Sequence, residues 1–151
     1  MSTLFIDADA CPVTREAIRI ARSAGWRVMV VANSSQNLGR FAARAGVEAV
    51  SVSGGRDAAD FAIIERLRAG DVVVTQDIGL AAMALGKRAQ ALSPRGHVFS
   101  LSTIDAELAV RHAEARERRA GRRTRGPSPF EEDDRERFEV TLQRLVRVQQ
   151  E

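Results

Sequence analysis

Residues 4–13 read L-F-I-D-A-D-A-C-P-V. An apolar run ends in two aspartates one residue apart, Asp7 and Asp9, followed by Cys11 and Pro12. Short, wholly apolar runs suit a strand buried on both faces of a parallel sheet. An acid directly after Leu4-Phe5-Ile6 has no motive in strand propensity. Residues 3–7 are therefore expected to form a buried strand whose carboxyl end delivers functional groups. Pro12 suits the first turn of a following helix, where the N–H it lacks would have no partner. That helix is expected to reach about Ala24, with Ala17, Ile18 and Ala21 inward, and to stop at Gly25.

The alternation continues along the chain. W-R-V-M-V-V-A at 26–32 predicts a second strand, residues 38–45 a short helix closed by Gly46, and residues 47–52 a third strand. Residues 57–69 predict a helix with Ala58, Phe61, Ile64 and Leu67 on its apolar face. D-V-V-V-T at 71–75 predicts a fourth buried strand ending at Gln76-Asp77, residues 78–86 a helix, and residues 90–92 and 97–101 two short strands. Buried strands alternating with helices predict a three-layer α/β/α fold with a mainly parallel sheet.

The character changes at Thr103. Ser102-Thr103-Ile104-Asp105 is expected as a capping box opening a helix. That helix runs into R-E-R-R-A-G-R-R-T-R at 116–125, and Gly126-Pro127-Ser128-Pro129 breaks it. From Glu131 a final amphipathic helix carries Phe138, Leu142 and Leu145 at helical spacing. One domain is expected, with a core over about 1–102 and a helical extension over about 103–151 packed partly on it through Phe130 and Phe138.

Composition narrows the class. The 151 residues are 44% apolar, with no apolar run long enough to span a membrane and no pattern of a signal peptide. One cysteine gives no intrachain disulfide, so a cytoplasmic location is expected. The net charge of +3 rests on arginine, Lys87 being the sole lysine. Arginine suits phosphate geometry.

In open α/β sheets, sites lie outside the carboxyl ends of the strands. Asp7 and Asp9 follow the first strand, Asp77 follows the fourth, and Asp57 and Asp60 open the third helix at the same edge. Asp57 and Asp60 are three apart and share a helix face. Five carboxylates on one rim repel one another unless a cation joins them. Mg²⁺ or Mn²⁺ prefers such oxygen ligands and can orient a phosphodiester and activate water. Asp7, Asp9 and Asp77 are the expected ligands, with Asp57 and Asp60 as ligands or water positioners. The plainer readings are that Asp57 and Asp60 favour a helix dipole and that Asp77 caps a helix. Asp71, beside Gly70, reads as a turn residue.

At these positions the chain resembles a known bacterial family. D-A-D-A-C-P-V, D-A-A-D at 57–60, D-V-V-V-T-Q-D-I-G-L-A at 71–81 and G-P-S-P-F-x-x-x-D-R-x-x-F at 126–138 look like the YaiI/YqxD family. Its proteins are described as similar to PIN-like nuclease domains. The resemblance implies a PIN-like fold and metal-dependent ribonuclease chemistry. It matches Asp7 to the first-strand acid, Asp77 to the fourth-strand acid, and Asp57 or Asp60 to the helix acid. Asp9 belongs to this family's own signature. A further acid of the general PIN pattern has no certain counterpart after Asp77.

Remaining polar groups are assigned to substrate. Asn33 and Ser34 follow the second strand on the same rim and could donate to phosphate oxygens, as could Arg56 beside Gly54-Gly55. Arg122 and Arg123, within the arginine cluster, either neutralise phosphates or pair with neighbouring acids such as Glu117. Cys11 precedes a helix N-terminus, where a thiol pKa tends to fall, but no base is placed beside it, so packing or capping is the expected role. His97 and His112 read as structural or solvated. The leading expectation is a Mg²⁺- or Mn²⁺-dependent phosphodiesterase acting on nucleic acid, RNA before DNA. The alternative is a non-catalytic RNA-binding module. F-I-D-A-D superficially resembles haloacid-dehalogenase phosphatases, but Cys11 stands where that family expects Ser or Thr, which disfavours aspartyl phosphotransfer.

Overall fold

The computed structural model describes residues 1–9, 11–33, 38–42, 46–55, 57–123, 126 and 128–150, with backbone only at 40, 42 and 148–150. Five strands form one all-parallel sheet: β1 (Thr3–Asp7), β2 (Arg27–Ala32), β3 (Val47–Ser51), β4 (Val72–Val74) and β5 (Gln90–Leu92), in the order β3-β2-β1-β4-β5. β1 lies at the centre, which is why Leu4, Phe5 and Ile6 are all buried. Its register sets Ile6 opposite Val74 of β4 and Asp7 opposite Val31 of β2.

Alternate residues feed two apolar layers, as strand geometry requires. Leu4, Ile6, Val28, Val30, Val72 and Val74 face one side, where α1 (Thr14–Ser23) and α6 (Glu132–Gln150) cover them. Phe5, Val31, Val73 and Ala91 face the other, covered by α3 (Ala58–Arg66), α4 (Ile78–Gly86) and the start of α5 (Ile104–Arg119). A short α2 (Gly39–Ala42) precedes β3. This is the expected three-layer α/β/α arrangement. Each fully buried Val, Leu or Ile contributes about 1.5–3 kcal/mol of transfer free energy. No described helix is long and apolar enough to cross a membrane.

The last helix joins the core as expected. Phe138, Leu142, Leu145 and Val146 are buried among α1 and strand residues, and Phe130 packs against the same cluster. The segment ahead of it is clamped. Arg95 donates to Ser128 Oγ (3.3 Å), the Ser128 carbonyl and Asp134 Oδ2 (3.2 Å). The guanidinium groups of Arg95 and Arg135 lie 5.8 and 5.3 Å from the Phe130 ring centroid, within cation–π range. Arg135 also donates to the Pro12 carbonyl (3.2 Å) and pairs with Glu16 (3.0 Å). Ser128, Phe130, Asp134 and Arg135 therefore help to seat α6 on the core.

Four local expectations are corrected. The inner face of α3 carries Ala59, Asp60 and Ile63, with Leu67 just beyond, and Phe61 is 62% exposed. Two apolar stripes interleave on this helix, and the sheet takes the i, i+4 stripe from Ala59. Residues 97–101 form no strand: Val98 alone bridges to Leu92, antiparallel. The Ser93 hydroxyl accepts from the Arg95 and His97 amides and turns the chain back. The capping box at Thr103 does not form, because Thr103 Oγ1 bonds Ser100 Oγ at 2.9 Å. Pro12 stands two residues ahead of α1, outside its first turn.

Candidate active site

β1 and β4 are neighbours, and the connections from β1 and from β3 leave toward opposite sides of the sheet. That is the switch point where open α/β folds leave a crevice. Asp7, the last residue of β1, stands half-buried at this point. Thr75, one residue past β4 and 1% exposed, donates its hydroxyl to Asp7 Oδ2 at 2.9 Å and accepts from the Asp77 amide at 2.9 Å. Thr75 thus ties the two acidic strand ends together. Asp77 caps α4, its Oδ1 accepting from the Gly79 (2.8 Å) and Leu80 (3.3 Å) amides. A Cβ at Gly79 would lie 3.1 Å from that oxygen, so glycine leaves the cap its room.

Asp9 is held from the other side. The Ala8 amide continues the β1 ladder to the Val31 carbonyl (2.8 Å), and Asp9 Oδ2 accepts from the Asn33 amide (2.9 Å) just past β2. Asn33 is thus at the rim, through its backbone.

Asp60 lies on the buried face of α3, 9% exposed. Burial, then the charge of Asp77, a hydrogen bond shared with Asp77, and the charges of Asp7 and Asp57 push its pKa up to about 7. Burial also raises Asp7; the Thr75 hydroxyl opposes it, and Asp9 and Asp77 add to it. Asp57 is the N-cap residue of α3 without a side-chain cap bond. The charges of Asp9 and Asp77 thus act on Asp7, and those of Asp77, Asp7 and Asp57 on Asp60, at one edge of the sheet.

A cleft of about 510 Å³ opens on this edge. Asp7, Asp9 and Asp77 line one wall, and Leu108, Arg111 and His112 of α5 line the other. Asp57 and Asp60 do not line it. Arg111 donates to the Gln76 carbonyl at 3.4 Å, pinning α5 across the cleft. Thr75, Arg111 and His112 were not readable as site residues; the only available hint was the hydroxyl in V-V-V-T-Q-D.

The remaining candidates fall elsewhere. Arg122 pairs with Glu117 at 3.2 Å, and neither Arg122 nor Arg123 lines the cleft. Ser34 and Arg56 lie outside the described residues. Burial pushes the Cys11 thiol up, opposite to the effect of a helix N-terminus, and the side chain packs against the core. Asp71 serves the opposite edge, accepting from the Thr3 and Arg68 amides, each at 2.9 Å.

Among the described residues, no three His, Cys, Asp or Glu side chains are placed to hold a metal ion together. A closed all-protein cage is therefore not what this rim offers. It offers hard oxygen donors, held where burial first and the neighbouring carboxylates second raise Asp7 and Asp60. Mg²⁺ is usually bound through one or two carboxylates plus waters, and that donor set fits the rim.

Residues 5–148 match a family described as "Uncharacterized BCR, YaiI/YqxD family". Similar proteins, each carrying the name "UPF0178 protein", occur in Exiguobacterium sibiricum (41% identical, covering 95% of both chains), Caulobacter vibrioides (44%, covering 97% and 94%) and Brucella ovis (47%, covering 96% and 91%). No solved structure matches the chain.

Proposed function

The chain belongs to the YaiI/YqxD family, and from the architecture of its rim we propose a metal-dependent phosphodiesterase acting on RNA. The observation that carries this reading is the meeting of Asp7, Asp9 and Asp77 in one cleft, opposite Arg111 and His112. Acids alone would repel a phosphodiester; acids holding a divalent cation and facing an arginine would bind one. The resemblance to PIN-like nuclease domains supports the same chemistry.

One or two of the carboxylates of Asp7, Asp9 and Asp77, completed by waters, would hold Mg²⁺ or Mn²⁺. When bound, such an ion supplies a water of lowered pKa and neutralises phosphate oxygens. The chain supplies the rest. Thr75 fixes the rotamer of Asp7, and the α4 cap fixes Asp77, so neither carboxylate needs to reorganise on binding. Asp60, buried beside Asp77 and outside the cleft lining, supports that carboxylate through a shared hydrogen bond. Arg111 presents a planar cation for phosphate oxygens.

Labelled single-stranded RNA incubated with Mn²⁺ tests the reading. Cleavage is expected, with Asp7→Asn lowering the rate by about 10²-fold or more and chelation abolishing it. RNA that binds but is never cut, with either ion, would place the protein among non-catalytic RNA-binding modules.

A further inference from the structure

α5 divides its charges between two sides. Glu107, Val110, Glu114 and Arg118 follow one another at helical spacing and line a second cavity, of about 630 Å³. Glu117, three residues after Glu114, continues that side. Leu108, Arg111 and His112 wall the acidic cleft, and Arg111 stands between the two sides and lines both cavities.

The cleft-facing side does not end at the cleft. Residues four and seven apart in a helix lie in line. Arg116 is four residues beyond His112 and Arg119 is seven beyond it, both within α5. The row His112, Arg116, Arg119 therefore runs outward for about 10 Å, at a rise of about 1.5 Å per residue. From Leu108 onward this side carries no acid; Asp105, which is in line with it, lies in the first turn, ahead of the cleft. Glu117, the acid nearest in sequence to both arginines, is paired with Arg122. Arg116 and Arg119 are exposed, and neither guanidinium has a partner among the described residues. Basic residues in a last turn favour the helix dipole. The dipole is indifferent to side, however, and does not clear the acids from one of them.

We propose that Arg116 and Arg119 form a phosphate track, which holds the RNA strand where it leaves the acidic cleft past His112. The proposal rests on the phosphodiesterase reading for the place of the strand in the cleft. Guanidinium groups match phosphate oxygens in geometry and charge. The row holds no aromatic side chain, so its contacts are to the strand's backbone and carry no base preference. About 10 Å takes roughly two to three steps of a stacked strand. A dinucleotide fills the cleft without reaching the track, and a longer strand engages both.

The test is binding without cleavage. A labelled single-stranded uridine oligomer is titrated with full-length protein in chelator, across about 50 to 200 mM salt. Arg116→Gln with Arg119→Gln should lower affinity on the order of tenfold at the low-salt end. It should also make the slope of log affinity against log salt shallower by about 1.4, the share of two single-strand phosphates. Arg22→Gln with Arg144→Gln removes equal charge from exposed positions on α1 and α6, which cover the opposite face of the sheet. That control should leave the slope as it is. An unchanged slope in the α5 pair, or an equal loss in the control, would overturn the track. Polyglutamate displacing the oligomer as effectively as unlabelled RNA would assign the row to an acidic protein and overturn it too. The two readings fail separately. A slope that falls only in the α5 pair, with no RNA cut in Mn²⁺, sinks the phosphodiesterase alone. Cleavage of long RNA at an unchanged KM in the α5 pair, with an unchanged slope, sinks the track alone.

Discussion

Asp60 is held at the sheet edge by a packing choice that its own chemistry opposes. The i, i+4 stripe of α3 turns it inward, where burial and the neighbouring Asp77, Asp7 and Asp57 disfavour its charge. Its pKa of about 7 in the fold exceeds the ordinary 3.8. The native state therefore keeps a proton that the unfolded chain has already released. The stabilisation is complete below about pH 4 and is lost as pH rises toward 7. Asp60→Asn, which keeps the shape without the charge, should raise Tm at pH 8 and leave it unchanged at pH 4. A melting series across that range checks this; a lower Tm at pH 8 would mean that the ionised carboxylate is stabilising. In the wild type, Mn²⁺ should raise Tm more at pH 8 than at pH 5, because the cation relieves the same repulsion. Asp7→Asn should blunt that response.

At the scale of elements, α6 is positioned by a turn that has no room to spare. Gly96 has φ +90, and a Cβ there would lie 2.9 Å from the Arg137 carbonyl carbon and 3.0 Å from the Phe138 amide. Gly96→Ala meets both an unfavourable backbone and the α6 main chain, and should cost about 1–3 kcal/mol. Gly86, at the end of α4, has open space around its missing Cβ. Gly86→Ala should be neutral or stabilise by about 0.4–1 kcal/mol through the unfolded chain. Urea melts of the pair separate the two cases, and a Gly96→Ala variant as stable as wild type would refute the close seating of α6. The motif G-P-S-P-F was visible in sequence, but its role was not. The partner of its Ser128, Arg95, lies 33 residues away and carries no local signature of contact.

For the whole molecule, the sheet needs cover on both faces, and α6 supplies part of one. A chain ending at residue 130 would expose Leu4, Ile6 and their neighbours to water where Phe138, Leu142 and Val146 now lie. It should lose the cooperative thermal transition and bind a hydrophobic dye, as loosely packed states do; a cooperative melt with no dye binding would show that α6 is dispensable. The strands were legible because Leu4-Phe5-Ile6 and Val72-Val73-Val74 are apolar on both faces, a pattern that only a central parallel strand can bury. Asp7 was legible for the same reason, since an acid has no place at the end of such a run, whereas Asp77 also suited the helix cap that it forms. Residues 97–101 misled because a short apolar stretch such as Val98-Phe99 also suits a chain folding back on a turn. Arg111 and His112 were illegible, because a charged residue on an exposed helix reads the same whatever it faces. Local periodicity and propensity, which are properties of neighbouring residues, determined the order of elements and the carboxylates at their ends. Which stripe of α3 turns inward, which wall α5 raises opposite the acids, and how far Asp60 departs from an ordinary carboxyl depend on contacts between residues distant in the chain, and only the folded arrangement decided them.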